Sequence, residues 1–234
     1  MSSVVAAWHP VTCDFGLIQA PLERVLSDLC AWHASIGIEY SRTDILSSLA
    51  DAFEALLPLA NSRMRRLFLQ THSDWVGCFQ NGIQGSDPFP AMSYLARQMG
   101  VLAMRVCSSP DGAMYPATIW EVYAPESLGG HPPLGYRRSI VCMNDGDHWV
   151  FEESGDRFSF EQVHRYSEKR KKDRFTRDML HEYLRDFGIE PFSDAFFRVE
   201  AGAPAVRLQQ ITKTWHTPEY SLAEVVGGQA WKKT

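Results

Sequence analysis

The sequence predicts an α+β fold, with a mixed, mainly antiparallel sheet and flanking helices in a single domain. Helical periodicity dominates residues 20–59 and 159–188, and short apolar runs typical of strands fill residues 64–153. Hairpin-type turns join several of these runs, which favours antiparallel pairing because parallel strands need long crossovers. No linker separates the helical parts from the strands, so we expect one domain that ends in an irregular C-terminal segment at 189–234.

Two helices are predicted before the strands begin. Pro21 suits the first helical position, apolar residues then recur every three or four positions, and Gly37 ends this helix. Thr43 is the predicted N-cap of the second helix, which Pro58 ends. Both patterns predict helices that pack one side against the core.

The strand-rich middle is predicted from apolar runs bounded by turn residues. His72-Ser73-Asp74 separates two of the runs, and the Asp145-Gly146 pair predicts a second hairpin in which both central turn residues need positive φ. Residues 86–88 open a helix inside this region, and residues 125–135 are predicted to be an exposed loop. The predicted strands cover residues 66–71, 75–80, 101–107, 117–123, 138–143 and 148–151.

Two more helices are predicted after the strands. Ser159 and Gln162 have the spacing of a capping box, and Phe158 and Val163 have that of a hydrophobic staple, so a helix should start here. The next helix presents an apolar face over 175–187 and ends at Gly188. In the C-terminal segment, residues 206–214 are predicted to form a strand.

Charge and composition exclude several classes of function. Lys plus Arg is 23 and Asp plus Glu is 28, so the formal net charge is −5, which argues against non-specific nucleic-acid binding. No apolar run is long enough for a membrane span, and residues 1–10 lack a signal-peptide pattern. The five cysteines are odd in number and widely spaced, which predicts reduced thiols in the cytoplasm. The oligomeric state stays open.

Cofactor and metal motifs are missing from the sequence. No dinucleotide fingerprint or phosphate loop is present, and there is no C-x-x-C pair. His181-Glu182 lacks the second histidine of a zinc-protease helix. Asp145, Asp147 and His148 lie close together, but a turn explains them. We therefore expect no cofactor and no metal.

One catalytic alternative remains. The setting of Cys78 between a small and an aromatic residue resembles papain-like hydrolases, and His148 resembles their strand-borne histidine, with Glu152 or Glu153 as its orienting partner. A hydrolase or acyltransferase would use thiolate attack with proton transfer through the histidine. However, Cys78 lies in a strand pattern rather than at a helix N-terminus, so a buried, inert thiol is the expected state and no catalytic residue is favoured.

Aromatic residues supply a signal for binding. Seven Trp and eight Tyr are many for this length, and exposed Trp and Tyr are favoured interface anchors. At least half of these aromatic residues, including Trp120 and Trp149, are expected to pack in the core instead. Those in loops or near the termini are Trp8, Tyr115, Tyr136, Trp215, Tyr220 and Trp231.

A motif of uncharacterised bacterial proteins resembles residues 74–82 (DWVGCFQNG) and 85–87 (GSD), with residues 144–152 (NDGDHWVFE) as its downstream partner. The general build is similar to the immunity proteins of bacterial polymorphic-toxin systems. The resemblance implies a stoichiometric protein partner, often a cationic toxin, and no turnover. The residues expected to contribute to binding are Trp75, Asn81, Asp87, Tyr136 and Asp145.

The sequence therefore predicts a non-enzymatic bacterial binding protein, an immunity-type inhibitor of a toxin or another protein. Negative charge would speed its encounter with a basic partner. Two alternatives stay open. One is the Cys78–His148 hydrolase, and the other is a small-ligand or regulatory domain with a pocket under the loop at 125–135.

Overall fold

A computed structural model describes residues 3–62, 64–110, 112–113, 115–212 and 217–228. The chain groups into two compact units, which we call the first unit (Met1–Pro88 with Pro191–Thr234) and the second unit (Phe89–Glu190). The expectation of a single domain stays a prediction. The helices are α1 Val4–Ala7, α2 Leu22–Ser35, α3 Leu49–Glu54, α4 Phe89–Met99, α5 Arg177–Arg185 and α6 Leu222–Val226. The strands are β1 Asp14–Ile18, β2 Tyr40–Ile45, β3 Leu59–Ala60, β4 Arg65–Thr71, β5 Val76–Gln80, β6 Ala103–Ser108, β7 Ala117–Tyr123, β8 Tyr136–Asn144, β9 Trp149–Gly155, β10 Phe197–Arg198, β11 Ala205–Gln210 and β12 Glu219–Tyr220.

The sheet of the first unit runs β2-β11-β4-β5-β1, and β10 also pairs with β4. These pairings are all antiparallel, so the predicted α+β class with a mainly antiparallel sheet is confirmed here. Because β11 lies between β2 and β4, the expectation of an irregular segment at 189–234 is wrong. The strand predicted at 206–214 corresponds to β11, which ends at Gln210, whereas its pairing with strands far away in the chain has no local signal. Thr214, where the predicted strand ends, lies outside the described residues.

The helices of the first unit match the predictions only in part. The predicted helix is present as α2, but Pro21, predicted at the first helical position, is the N-cap, and Gly37 (φ +79°) follows the end of the helix. The predicted N-cap Thr43 is wrong, because this residue lies in β2 opposite Arg207 of β11. The second helix, α3, begins instead after Ser48, whose side chain accepts a hydrogen bond from Asp51 N–H.

An aromatic core fills one face of this sheet. The centre of the Phe79 ring lies 5.2 Å from the ring centre of Phe15, 5.1 Å from that of Phe53 and 5.8 Å from that of Phe197. Gly77 makes the approach of Phe197 possible, because a Cβ atom at this position would lie 3.0 Å from that ring. Since side chains alternate along a strand, Cys78 lies on the opposite face.

The sheet of the second unit is the antiparallel series β6-β7-β8-β9. The predicted hairpin between β8 and β9 is confirmed, but its turn differs from the prediction. Gly146 has φ +106°, whereas Asp145 does not have a positive φ. The loop closes through a 3.2 Å hydrogen bond from Asp145 N–H to His148 O, and Asp145 Oδ1 accepts from Asp147 N–H and His148 N–H. These hydrogen bonds to the Asp145 side chain hold the turn although Asp145 has no positive φ.

The helix predicted from Ser159 is wrong, and the segment that precedes α5 contains the short 3₁₀ helices Val163–Ser167 and Lys171–Asp173. The Glu161 carboxylate accepts from Phe158 N–H at 2.8 Å, and Gln162 N–H donates to the Tyr183 hydroxyl at 2.7 Å. The Gln162 N–H, which would donate to Ser159 in a capping box, therefore has a tertiary partner instead. The predicted loop at 125–135 is confirmed as largely exposed and contains the short 3₁₀ helix Glu126–Leu128.

A buried ion pair links the outer strands of the second unit to this segment. The Arg138 side chain is 0% exposed and donates to both carboxylate oxygens of Glu161, at 2.9 and 2.7 Å. It also lies 2.5 Å from Glu153 of β9 and donates to Ser154 O at 3.0 Å. Burial alone would lower the pKa of the guanidinium, but the hydrogen bonds to Glu161 and Glu153 outweigh it and raise that pKa.

We predict that Glu161→Gln lowers the free energy of unfolding by about 3 kcal/mol, because it leaves a buried guanidinium with too little compensating charge. Urea unfolding followed by circular dichroism measures the change. The matched control is Glu168→Gln, whose carboxylate pairs with Arg165 at 3.6 Å on the surface. It should change stability by less than about 0.5 kcal/mol. Equal effects of the two substitutions would contradict this role for Glu161.

Candidate functional site

Cys78 has the surroundings of a packed thiol. It lies in β5 between Phe68 of β4 and Gly16 of β1, and only 6% of it is exposed. Burial raises the pKa of the thiol well above its ordinary value, with only a smaller opposing effect from the Arg66 charge. A nucleophilic cysteine needs the opposite shift, because the thiolate is the reactive form.

His148, the other member of the predicted pair, lies in the β8–β9 turn. Its side chain is 67% exposed, and its Nδ1 lies 3.4 Å from Asp145 Oδ1. Glu152 follows on β9 and is exposed. Cys78 belongs to the first unit, whereas His148 and Glu152 belong to the second, so neither unit by itself contains the predicted pair.

A second histidine, on the buried side of α2, lies on the Cys78 face of the first unit. His33 is 4% exposed, and its Nδ1 lies 2.7 Å from the Tyr40 hydroxyl. Arg66 Nε donates to the same hydroxyl oxygen at 3.2 Å, so Tyr40 links His33 to Arg66. Burial, and then the Arg66 charge, lower the pKa of His33 to about 4. His33 is therefore a neutral, structural imidazole near pH 7.

A cavity of about 350 Å³ lies in the first unit beside Trp75. Trp75 is 1% exposed, so its ring forms part of the wall rather than an accessible anchor. The charged groups that line the cavity are already engaged: Asp74 accepts from Gln19 Nε2 at 2.7 Å, and Arg198 donates to Glu200 at 2.7 Å. The loop at 125–135 belongs to the second unit, so this cavity is not the pocket predicted under that loop.

The other predicted binding residues of the first unit have structural roles. Asn81 is buried, accepts from Arg65 N–H and donates to Pro58 O, both at 2.9 Å. Asp87 is half-buried and adopts a left-handed φ of +43°, which aspartate tolerates better than most residues. Trp75 precedes β5 and Asn81 follows it, so the two lie at opposite ends of this strand.

Tyr136, predicted to bind, belongs to a buried polar cluster of the second unit. Its hydroxyl lies 3.4 Å from Glu121 Oε1, and the Tyr123 hydroxyl donates to Glu121 Oε2 at 2.5 Å. Arg105 lies 3.7 Å from the same carboxylate. Burial, followed by the Glu121 charge, raises the pKa of Tyr136. Tyr136 begins β8 and Asp145 follows its end, so the structure does not bring these two residues together.

The aromatic residues predicted as loop anchors are mostly covered. Trp8 and Tyr220 are buried, and Tyr136 is half-buried. Tyr115 is 59% exposed. Trp215 and Trp231 lie outside the described residues. Within the described part of the chain, only Tyr115 of this set has the exposure expected of an anchor.

The most distinctive exposed feature of the second unit is the β8–β9 hairpin, whose residues 145–157 we call the acidic hairpin. This stretch contains five carboxylates and one arginine, a formal net charge of −4, against −5 for the whole chain. The His148 N–H hydrogen bond, more than any other neighbour, holds the pKa of Asp145 below its usual value. Asp145, Asp147 and Glu152 are all exposed, so the hairpin presents fixed negative charge to solvent.

Strand β9 extends beyond the predicted strand at 148–151 and reaches Gly155 (φ +83°). It is the last strand in the series of the second unit. Trp149, Val150 and Phe151 are half-buried, and the Phe151 ring packs 5.5 Å from Tyr166. The acidic hairpin therefore combines charge with apolar surface along a sheet edge.

Comparisons with known proteins do not assign the chain to a family. The chain matches no family model, no curated protein and no solved structure. Among the described helices, none is both long enough and apolar enough to cross a membrane. In the same part of the chain, no three potential metal-ligating side chains form a group.

We predict that a thiol reagent modifies Cys78 at least about 100-fold more slowly in the folded protein than in urea, because burial protects it. Cys107 and Cys142 are also buried, whereas Cys13 and Cys30 are partly exposed and should react first. Mass spectrometry of the labelled peptides measures each site, with Cys78→Ala as the assignment control. Rapid labelling of Cys78 near neutral pH would contradict a packed thiol and support the hydrolase alternative.

We predict a contribution of His33 to acid destabilisation. Between pH 6.5 and 4, His33 is protonated in the unfolded chain but stays neutral in the folded protein. The free energy of unfolding should therefore decrease as the pH is lowered, by up to about 3 kcal/mol. His33→Asn keeps a hydrogen-bonding group at this position and should remove this part of the pH dependence in urea titrations. His72→Asn, at an exposed site, is the control and should keep the wild-type slope. An unchanged slope for His33→Asn would contradict the assignment.

Proposed function

We propose that the protein is a non-enzymatic binding protein of the immunity type, which holds a cationic protein partner, such as a toxin, in a stoichiometric complex. The observation that carries the proposal is the acidic hairpin, where exposed carboxylates lie next to half-buried apolar side chains on a sheet edge. Complementary charge accelerates encounter, and apolar surface that becomes desolvated contributes affinity.

The absence of turnover in this proposal is supported by the state of Cys78. The Cys78 thiol is buried, and burial raises its pKa. A catalytic cysteine needs a mildly basic group beside it that accepts the thiol proton. His33, on the same face of the sheet, is neutral with a pKa of about 4, so it is a poor proton acceptor. The Cys/His chemistry therefore receives no support from the groups around Cys78.

A bacterial cytoplasmic location is part of the proposal. None of the five cysteines is in a disulfide, although three of them are buried in the core. Free thiols are typical of reducing compartments. This location suits an inhibitor that must meet its partner inside the producing cell.

The test is a selection of peptides from a random-sequence library on the purified full chain. We expect the enriched peptides to carry net positive charge, and their association rates to fall severalfold between low and high salt because exposed charges are screened. Mass spectrometry should recover each bound peptide intact, since the proposal includes no turnover.

A charge-neutralised variant, with Asp145→Asn, Asp147→Asn and Glu152→Gln together, localises the binding. It should lose most of its affinity for the enriched peptides. The matched control has Glu182→Gln, Asp186→Asn and Glu190→Gln, which remove the same charge from exposed positions of the second unit outside the acidic hairpin. Enrichment of neutral or acidic peptides, no enrichment, or cleavage of the peptides would each contradict the proposal.

A further inference from the structure

We propose that the partner segment binds as an added β-strand along the outer edge of β9, and that its residues alternate between basic and apolar. This inference rests on the proposed function and specifies how the acidic hairpin would recognise its partner. Strand addition uses main-chain hydrogen bonds for affinity and alternating side chains for specificity.

The outward-facing backbone groups of β9 follow from the register. Asn144 N–H donates to Pro116 O at 2.9 Å, so Asn144 faces away from its β9 partner, Trp149. At the other end of the hairpin, Asp156 N–H donates to Arg137 O at 2.9 Å. Bonded and non-bonded pairs alternate along an antiparallel ladder. The residues whose N–H and C=O groups face the outer edge are therefore Trp149, Phe151, Glu153 and Gly155.

The outer edge of β9 has no described main-chain partner. The turn nearest to it, Lys171–Asp173, lies over the sheet face, where Lys171 O accepts from Cys142 Sγ at 3.3 Å. Cys142 pairs with Phe151, so this turn covers the Phe151 face rather than the edge. In the part of the chain that the structure describes, no main-chain hydrogen bond from outside β8 reaches the edge of β9.

The two faces beside this edge differ in chemistry. On one face, Phe151 packs against Tyr166, and the Arg174 guanidinium lies 5.6 Å from the Phe151 ring centre. On the other face, Val150 is half-buried and Glu152 is exposed. An added strand would place successive side chains on these two faces in turn. Basic residues suit the Glu152 face, whereas apolar residues suit the Phe151 face, where the nearby arginine disfavours further cations.

Strand β2, the outer strand of the first unit, is less suited to a cationic segment. By the same register argument, Tyr40, Arg42 and Asp44 face outward, because Ile211 N–H donates to Glu39 O at 2.9 Å. Arg42 lies 2.7 Å from Asp44 and 2.7 Å from Glu23, so both carboxylates at this edge are already paired with a guanidinium.

The test uses synthetic peptides of defined pattern on the full chain. The probe is a peptide of alternating Lys and Val, and its control is a block isomer with all Lys residues before all Val residues, which has the same composition and charge. Only the alternating peptide matches the two faces of an added strand. Isothermal titration calorimetry should therefore show at least about tenfold tighter binding of the alternating peptide.

Modified peptides test the main-chain bonds without changing the protein. N-methylation of one alternate set of peptide nitrogens should abolish binding, and N-methylation of the other set should have little effect, because only one set faces β9. Equal effects of the two sets would overturn strand addition.

A charge reversal in the protein tests the assigned face. Glu152→Lys should weaken binding of the Lys/Val peptide at least about tenfold and create binding of the matching Glu/Val peptide. The control is Glu190→Lys, an exposed position in the same unit, which changes the net charge equally and should leave the preference unchanged.

The outcomes separate this inference from the proposed function. Equal binding of the alternating and block peptides, lost in Glu152→Lys, would overturn strand addition and leave a cationic binding protein. No binding of either peptide would overturn both proposals. Self-association of the chain in sedimentation experiments that the alternating peptide cannot disrupt would show that a second copy occupies the edge, and would also overturn the inference.

Discussion

A guanidinium buried within a sheet costs several kcal/mol unless carboxylates surround it. In the second unit this guanidinium belongs to Arg138 on β8, and two different segments of the chain supply its partners. Glu153 and Ser154 O belong to β9, whereas Glu161 belongs to the segment that follows. The ion pair therefore ties the last strand to β8 through side chains as well as through the ladder. It also fixes Glu161, which lies in the segment where a helix was predicted from Ser159, to a partner distant in the sequence.

This arrangement bears directly on recognition. A last strand held only by its ladder would fray, whereas β9 is also fixed from within by Arg138 and on one face by the packing of Phe151 against Tyr166. A rigid edge loses less conformational entropy when a partner binds. The exposed carboxylates of the hairpin then supply long-range attraction, while the half-buried side chains supply the area that becomes desolvated. Fixed geometry and charge thus come from the same few residues.

The sequence predicted those parts of the fold whose signals are local. Pro21 and Gly37 bound α2, and the turn at 72–74 joins β4 to β5 as predicted. Strand β2 was missed because Thr43 has the local features of a helix cap, and only pairing with the distant β11 makes it a strand. The helix predicted from Ser159 failed for a similar reason, since Arg138 lies elsewhere in the sequence and captures Glu161.

The candidate site was less accessible to prediction from the sequence. The hairpin and its acidic residue Asp145 could be found from the Asp-Gly pair, and the expected inertness of Cys78 agrees with its burial. However, Trp75 and Asn81 are buried, which the sequence does not show. The direction in which each β9 backbone group faces depends on its register with β8, and register is a tertiary property.

Amide hydrogen exchange along β9, measured by nuclear magnetic resonance with and without the alternating Lys/Val peptide, tests the free edge most directly. In the protein alone, the amides of Val150, Glu152 and Ser154 should exchange slowly, because β8 accepts their hydrogen bonds, and those of Trp149, Phe151 and Glu153 should exchange fast. The peptide should slow the second set and leave the first unchanged. Uniform protection in the free protein, or no change in the second set at saturating peptide, would contradict an open edge that receives a partner strand.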